Sequence, residues 1–427
     1  MAVSDPVDEC RITVRGGSAL HGEVLVPGAK NSVLKLMAAT LLADGHFELT
    51  NVPGIADVGI MADLLRGMGL RVDTAEPGVV VIDNDGHVEP VAPWSLAERI
   101  RASINVLGPL LTRFGFVHLA LPGGDDFGSR PIDLHVAGLE QMGAEFSFGD
   151  GYVEARAERL HGADVVFEFP SVGATENLVT AAVLADGVTT IGNAAREPEI
   201  IDLCEFLVAM GARIDGIGTS TLRVTGVPAS ALGGCEHETV PDRIQAATYI
   251  AACAVSGGEL DLLNAKSEHM RMVLARFGDM GLEFRSLPYG FRVTAPDRMR
   301  ATDIATLPYP GIATDYKPLI ITMLSVADGT GIVTENLYPG RFRYVEELQR
   351  LGADVRTTGH HAVVRGVERL TGCAVRAHDI RAGAAMVVAG LAAEGTTTIT
   401  GVHHIDRGYD DLVGRLRRVG ADIERSG

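Results

Sequence analysis

The segment "LVAMGARI", residues 207–214, joins a helical apolar stripe to a strand through one glycine. Glycine ends a helix well because it accepts a left-handed backbone without a Cβ penalty. The residues after it alternate, as a half-buried strand does. The same junction occurs five more times, as "LLRGMGLRV" at Gly69, "LEQMGAEF" at Gly143, "FGDMGLEF" at Gly281, "LQRLGADV" at Gly352 and "LRRVGADI" at Gly420. Neighbouring glycines lie about 70 residues apart, a longer period than the ~20–50 residues of short solenoid repeats.

A second pattern interleaves with the first. An alanine-rich helix stops at Gly and leads into a Thr/Val-rich strand: "AATLLADGHFELTNV", "AAVLADGVTTIGNA", "AACAVSGGELDLLNA", "LSVADGTGIVTEN" and "AGLAAEGTTTITGV", with "LLTRFGFVHLALPGG" as a divergent copy. Together the patterns predict an α/β chain of six repeated units, each with two helices and several strands, grouped as two domains of three. The helices in "VLKLMAATLLA", "NLVTAAVLA" and "AGAAMVVAGLAA" are apolar over a wide arc, so they should be buried inside each domain.

Composition narrows the function. The chain has 427 residues, 46% of them hydrophobic, with a formal net charge of −18. That length suits two domains. The acidic balance argues against a nucleic-acid binder, but local arginines can still bind a small anion. "MAVSDPVDECRITV" has neither a basic start nor an apolar run, so no signal peptide is expected. No apolar stretch reaches the roughly 18 residues of a membrane span. Cys10, Cys204, Cys235, Cys253 and Cys373 are scattered without zinc or redox spacing, which fits a cytoplasmic protein.

Polar residues collect just before the apolar helices. Lys30 and Asn31 enter one; Arg99 and Arg101 precede another; Arg130 and Asp133 a third. Asp315 and Lys317, Arg341 and Arg343, Asp379 and Arg381, and Asp406 and Arg407 occupy comparable places. Helix N-termini and arginine forks both suit phosphate and carboxylate. Repetition at equivalent loops points to an anion-binding site. In "LPGGDDFGSRPIDLH", residues 121–135, Asp125 and Asp126 are open to two readings, an acid for chemistry or a solvated turn. No P-loop, Rossmann fingerprint or nucleophile elbow is present. His360–His361 and His403–His404 lack a metal-ligand frame and read as sheet or loop histidines.

Longer stretches carry a resemblance: "GEVLVPGAKNSVLKLMAATLLA", "RASINVLGPL", "LPGGDDFGSRPIDLHVAGLEQMGA", "EFPSVGATEN", "NAAREPEIIDLCEFLVAMGA", "TENLYPGRFRYVEELQRLGA", "DIRAGAAMVVAGL" and "HIDRGYDDL". From end to end the chain resembles the enolpyruvyl transferases, in the nucleotide-sugar branch and the form found in actinobacteria. The resemblance implies a two-domain inside-out α/β barrel of six repeats, with the active site in the cleft between domains. Residues 1–28 and 238–427 would form one discontinuous domain. Residues 29–237 would form the other and carry a mobile 121–131 loop.

The implied reaction is addition–elimination on phosphoenolpyruvate, with no metal and no organic cofactor. The implied acceptor is the 3-hydroxyl of UDP-N-acetylglucosamine, at the first committed step of peptidoglycan synthesis. The alternative is another nucleotide, such as UMP in nucleoside-antibiotic synthesis. Partners would be these small molecules alone, with neither nucleic acid nor membrane, and the protein would be a monomer. By resemblance Lys30, Arg130 and Arg407 hold phosphoenolpyruvate, with Asn31, Arg341, Asp379 and Arg381 completing that pocket. Asn31, Arg101, Arg130, Pro131, Ile132, Asp133 and Leu134 line the nucleotide-sugar site. So do Phe169, Pro170, Ser171, Val172, Asp315 and Leu337. Asp315 is the base toward the attacking hydroxyl, Lys30 is catalytic, and Asp125 delivers a proton to C3. Asp125 stands where many members carry a cysteine, which implies resistance to the epoxide fosfomycin.

The sequence departs from the family pattern at four places. Ala313 replaces a proline and Lys317 a glutamine around Asp315; Asn105 stands where tryptophan is frequent, and Phe169 where lysine is frequent. These changes are expected to touch acceptor recognition. A non-catalytic regulator on the same fold would be expected to have lost Lys30, Asp125 or Asp315, and all three are present.

Overall fold

The computed structural model describes residues 10–124, 131–338 and 340–427. They divide into two compact units. The described residues up to Pro27 and from Pro241 onward form one; those from Gly28 to Val240 form the other.

The glycines of both repeated patterns have positive φ, among them Gly69 (107°), Gly143 (96°), Gly211 (118°), Gly281 (105°), Gly352 (94°) and Gly420 (105°). At Gly211 the requirement is also steric, because a Cβ would lie 2.2 Å from the Ala231 carbonyl oxygen. The repeat is therefore written into the backbone: six helix–turn–strand junctions of one kind, each turned by a residue that only glycine suits.

Five of the six repeats build the same small four-stranded sheet. In the unit containing the C-terminus, Leu20–Leu25 runs parallel to Gly258–Leu263, which pairs antiparallel with Gly290–Thr294 and through it with Glu283–Leu287. Ile304–Ala305, Thr330–Thr334, His361–Arg365 and Asp354–Thr358 repeat that order. So do Ala374–Arg376, Thr396–Thr400, Arg11–Arg15 and Asp422–Ser426, where the first strand of the chain fills the third place. It does so with Ile12 and Val14 facing inward, both buried. The other unit holds two sheets of this order, Glu236–Glu238 with Gly45–Thr50, Val80–Asn84 and Arg71–Asp73, and Asp164–Val166 with Val188–Gly192, Thr221–Thr225 and Arg213–Asp215. Its third sheet has three strands, Phe116–Ala120, Tyr152–Arg156 and Glu145–Gly149, and Val91 adds one parallel bridge to His118.

Within each unit three apolar helices lie inside and the sheets outside. Arg243–Ser256, Lys317–Ser325 and Ile380–Ala392 pack on one another and are buried on nearly every face. Alanine and glycine on Ile380–Ala392 let the backbones approach closely. Lys30–Ala39, Leu107–Phe114 and Val172–Ala182 are the buried helices of the other unit. The strands show the complementary pattern, alternately buried and exposed, as Thr330–Thr334 does. Burying helices and wetting one sheet face is what "inside-out" means physically. Among the described residues no sheet closes on itself, so the barrel is an arrangement of separate sheets. No helix among them is long and apolar enough to cross a membrane.

Candidate active site

The unit containing the C-terminus gathers Asp315, Arg341, Asp379 and Arg381. Thr314–Tyr316 forms a 3-10 turn that runs directly into Lys317–Ser325. Pro318 fits there because the first helical turn needs no amide donor. Asp379 caps Ile380–Ala392, accepting from the amides of Arg381 (2.8 Å) and Ala382 (2.9 Å). Arg341 Nη1 donates to Asp315 Oδ1 at 2.7 Å, and Arg381 Nε donates to Oδ2 at 3.1 Å. Arg341 Nη2 lies 3.9 Å from Asp379 Oδ1. The arginine side chains are 3% and 4% exposed and Asp315 is 23% exposed. Burial pushes the Asp315 carboxyl up, but the two guanidiniums outweigh it and hold the group well below the usual carboxylate range. The guanidinium of Arg381 also sits 5.4 Å over the Tyr409 ring, whose hydroxyl meets Thr248 Oγ1 at 2.9 Å.

Beneath this cluster lies a residue that sequence reading missed. Glu335 is fully buried and accepts from Thr306 Oγ1 (2.6 Å), Thr314 Oγ1 (2.7 Å), Leu337 N (2.8 Å) and Tyr338 N (3.1 Å). Lys317 Nζ completes the set as an ion pair at 2.8 Å, itself 0% exposed. Lys317 therefore does not face an acceptor, contrary to the expectation from its place beside Asp315. Leu337 joins the cluster through its backbone. Arg407 follows the one-turn helix His403–Asp406 and is half-buried. His403 and His404 thus sit on a short helix, not in a sheet or loop, while His361 does begin a strand. No group of three or more His, Cys, Asp or Glu among the described residues could hold a metal ion.

The other unit carries the second set. Lys30 opens its helix with Nζ 2.8 Å from Asp57 Oδ2, an ion pair that offsets the unfavourable helix dipole. Asn31 is half-buried, and its carbonyl accepts from Lys35 Nζ at 2.6 Å. Arg101 begins the 3-10 turn Arg101–Val106 and reaches Pro131 O at 3.5 Å. Pro131 and Asp133 are exposed, and Ile132 and Leu134 half-buried. Phe169 is 45% exposed; Pro170 and Val172 are half-buried, and Ser171 caps Val172–Ala182.

His135, missed by the sequence reading, ties the two segments together. Its Nδ1 accepts from Asn177 Nδ2 at 2.9 Å, and its ring fills the space where a Gly173 Cβ would stand, 3.0 Å away. Burial and nearby Arg101 push its pKa down to about 4, so it is neutral at physiological pH. Asn105 Nδ2 donates to buried Glu176 at 2.7 Å, so it is committed to the interior. Asp125 and Arg130 lie outside the described residues. The signal that could have found Glu335, His135 and Glu176 is a charged or polar residue interrupting an otherwise buried pattern.

Residues 14–416 match the family EPSP synthase (3-phosphoshikimate 1-carboxyvinyltransferase). A UDP-N-acetylglucosamine 1-carboxyvinyltransferase of Mycobacterium bovis is 50% identical over 415 residues, covering 97% of this chain and 99% of that protein. The protein of the same name from Nocardia farcinica is 50% identical over 422 residues, covering 98% and 99%. Among solved structures, the enolpyruvyl transferase NikO from Streptomyces tendae has a TM-score of 0.89 at 23% identity, covering 98% of this chain and 99% of that one. EPSP synthase from Acinetobacter baumannii has 0.76 at 18%, covering 98% and 100%. These two show the shared fold. With the family match spanning nearly the whole chain and half its residues shared with full-length relatives, the chain belongs to the EPSP synthase family of enolpyruvyl transferases.

Proposed function

We propose that this chain transfers the enolpyruvyl group of phosphoenolpyruvate to the 3-hydroxyl of UDP-N-acetylglucosamine and releases phosphate, the first committed step of peptidoglycan synthesis. The observation that carries this is 50% identity over 97% of the chain to proteins named for that activity. The buried arginines support it: a site that binds a phosphorylated enol and its charged adduct needs fixed cations out of water. In this reading the hydroxyl oxygen bonds to C2 while C3 gains a proton; the adduct then expels phosphate and loses the C3 proton, leaving an enol ether. Lys30, Asn31, Arg130, Arg341, Asp379, Arg381 and Arg407 serve phosphoenolpyruvate. Arg101, Pro131 to Leu134, Phe169 to Val172 and Leu337 serve the nucleotide sugar. Asp125 supplies the proton to C3, and Asp315 takes the hydroxyl proton. For that, Asp315 must exchange part of its arginine contact for the substrate's anion, since the two guanidiniums otherwise hold it as a weak base. All five cysteines are free, which suits a reducing cytoplasm where both substrates are made.

A second acceptor, a nucleotide such as UMP, is favoured by exposed, apolar Phe169, which offers no cation to a diphosphate sugar. One experiment separates the readings. The protein is incubated with phosphoenolpyruvate and UDP-N-acetylglucosamine, UMP or shikimate 3-phosphate, and phosphate is measured. Release with the nucleotide sugar supports the first reading, and release with UMP alone selects the second. Release with shikimate 3-phosphate alone, or with none, overturns both.

A further inference from the structure

Lys317 and Glu335 are both 0% exposed and lie 2.8 Å apart. A buried ion pair must be hydrogen-bonded throughout to hold its place, and here the two partners differ. Glu335 is saturated: Thr306, Thr314, Leu337 N and Tyr338 N all donate to it. Lys317 has three N–H bonds, and among the described residues its Nζ meets only the carboxylate and the face of Phe342, whose ring centroid is 3.8 Å away. The pair therefore works in one direction. The lysine charge keeps Glu335 ionised, and ionised Glu335 accepts from two segments of the candidate site at once. One is the Thr314–Asp315 turn. The other is the Leu337–Tyr338 segment leading to Arg341. Thr314 Oγ1 also lies 3.4 Å from Arg341 Nη1, so the network reaches the arginine that grips Asp315.

We infer that Lys317 and Glu335 are a positioning couple, holding the Asp315 turn and the Leu337 segment in the arrangement that transfer requires. This rests on the function proposed above, and it departs from the glutamine expected at position 317. A glutamine could donate to Glu335 without carrying charge; a lysine makes the arrangement depend on a proton. Burial pushes the Lys317 ammonium down to about 8, opposed by Glu335, with Arg341 lowering and Asp379 raising it further. The other charged groups of the network are Asp315 and Arg381, and Tyr344, the N-cap of the helix Val345–Arg350, interacts with Arg341.

The test uses the full chain and three variants, Lys317→Gln, Lys317→Met and Glu335→Gln. Wild type is expected to lose kcat on the alkaline side with a midpoint near pH 8. Lys317→Gln, an uncharged donor like the deprotonated amine, is expected to show at every pH the lowered kcat that wild type reaches above this midpoint, and so to lack that limb. Lys317→Met and Glu335→Gln should lower kcat by roughly tenfold or more while KM for phosphoenolpyruvate changes less than about threefold. Independently of turnover, hydrogen exchange at the Leu337 and Tyr338 amides should accelerate about tenfold or more in Lys317→Met. An alkaline limb that survives in Lys317→Gln overturns the couple, as does unchanged exchange and unchanged kcat in Lys317→Met. Wild type inactive with every acceptor would instead overturn the proposed function, while the exchange measurement still decides the couple.

Discussion

Arg341 Nη1 meets Asp315 Oδ1 at 2.7 Å, and the contact reverses the ordinary effect of burial on that carboxylate. Asp315→Asn removes the anion between two buried guanidiniums. Turnover should fall by about 10²–10⁴, the usual range for a lost general base. Stability at pH 7 should fall by about 2 kcal/mol, less than for a fully buried pair because Asp379 still lies beside Arg341. The pH dependence has a definite sign. A carboxyl held below its unfolded pKa stabilises the fold above that value and loses the contribution as pH falls through the folded pKa. Urea midpoints of wild type and variant should therefore differ at pH 7 and begin to converge only as pH falls below about 4.

Asp202 anchors the other unit. It is buried and accepts from Ser32 Oγ, from His237 Nε2 at 2.8 Å and from Val240 N at 3.2 Å. Asp202→Ala leaves three donors without a partner in a packed interior, at a cost of about 3 kcal/mol. Thermal melting should drop by several degrees, whereas KM for phosphoenolpyruvate in the remaining folded protein should stay within about twofold. A large KM change at intact stability would show that Asp202 positions substrate-binding groups.

The fold was legible because its decisive requirement is local. Gly69, Gly211 and Gly420 each need a backbone that only glycine adopts freely, and such a need shows in a short window. The buried helices were legible for the same reason, being apolar all round. Glu335 was not, because its meaning depends on residues 306, 314, 317, 337 and 338, which only the folded chain brings together. Lys317 beside Asp315 reads as a site residue in one dimension; in three it turns inward from the first turn of a helix buried on all sides. The His403–Asp406 helix is a single turn, too short to leave a periodic signal.

Gly211→Ala tests the repeat junction directly. The φ of 118° is strained for alanine, and its Cβ would lie 2.2 Å from Ala231 O. Backbone cannot yield as a flexible side chain can, so a loss of about 2 kcal/mol or more is expected. Gly278→Ala is the control: it lies inside a helix, and nothing stands within 4 Å of its Cβ. Alanine should stabilise that position by up to about 1 kcal/mol. Equal melting temperatures for the two variants would show that the junction does not constrain the fold.

Asp125 lies outside the described residues, and its proposed role is tested by chemistry. A thiolate opens an epoxide by attacking carbon; a carboxylate is a far weaker nucleophile toward it. Wild type should keep its turnover after incubation with fosfomycin, while Asp125→Cys should lose activity with time and gain the mass of one inhibitor molecule. Asp125→Asn keeps the size of the side chain but has no proton to deliver, so turnover should fall by about 10²–10⁴. Glu, which keeps an acid at a different reach, should recover part of it. If Asp125→Asn turned over as wild type does, the proton for C3 would have to come from another group, and Lys30, a cation already paired with Asp57, would be the next residue to replace.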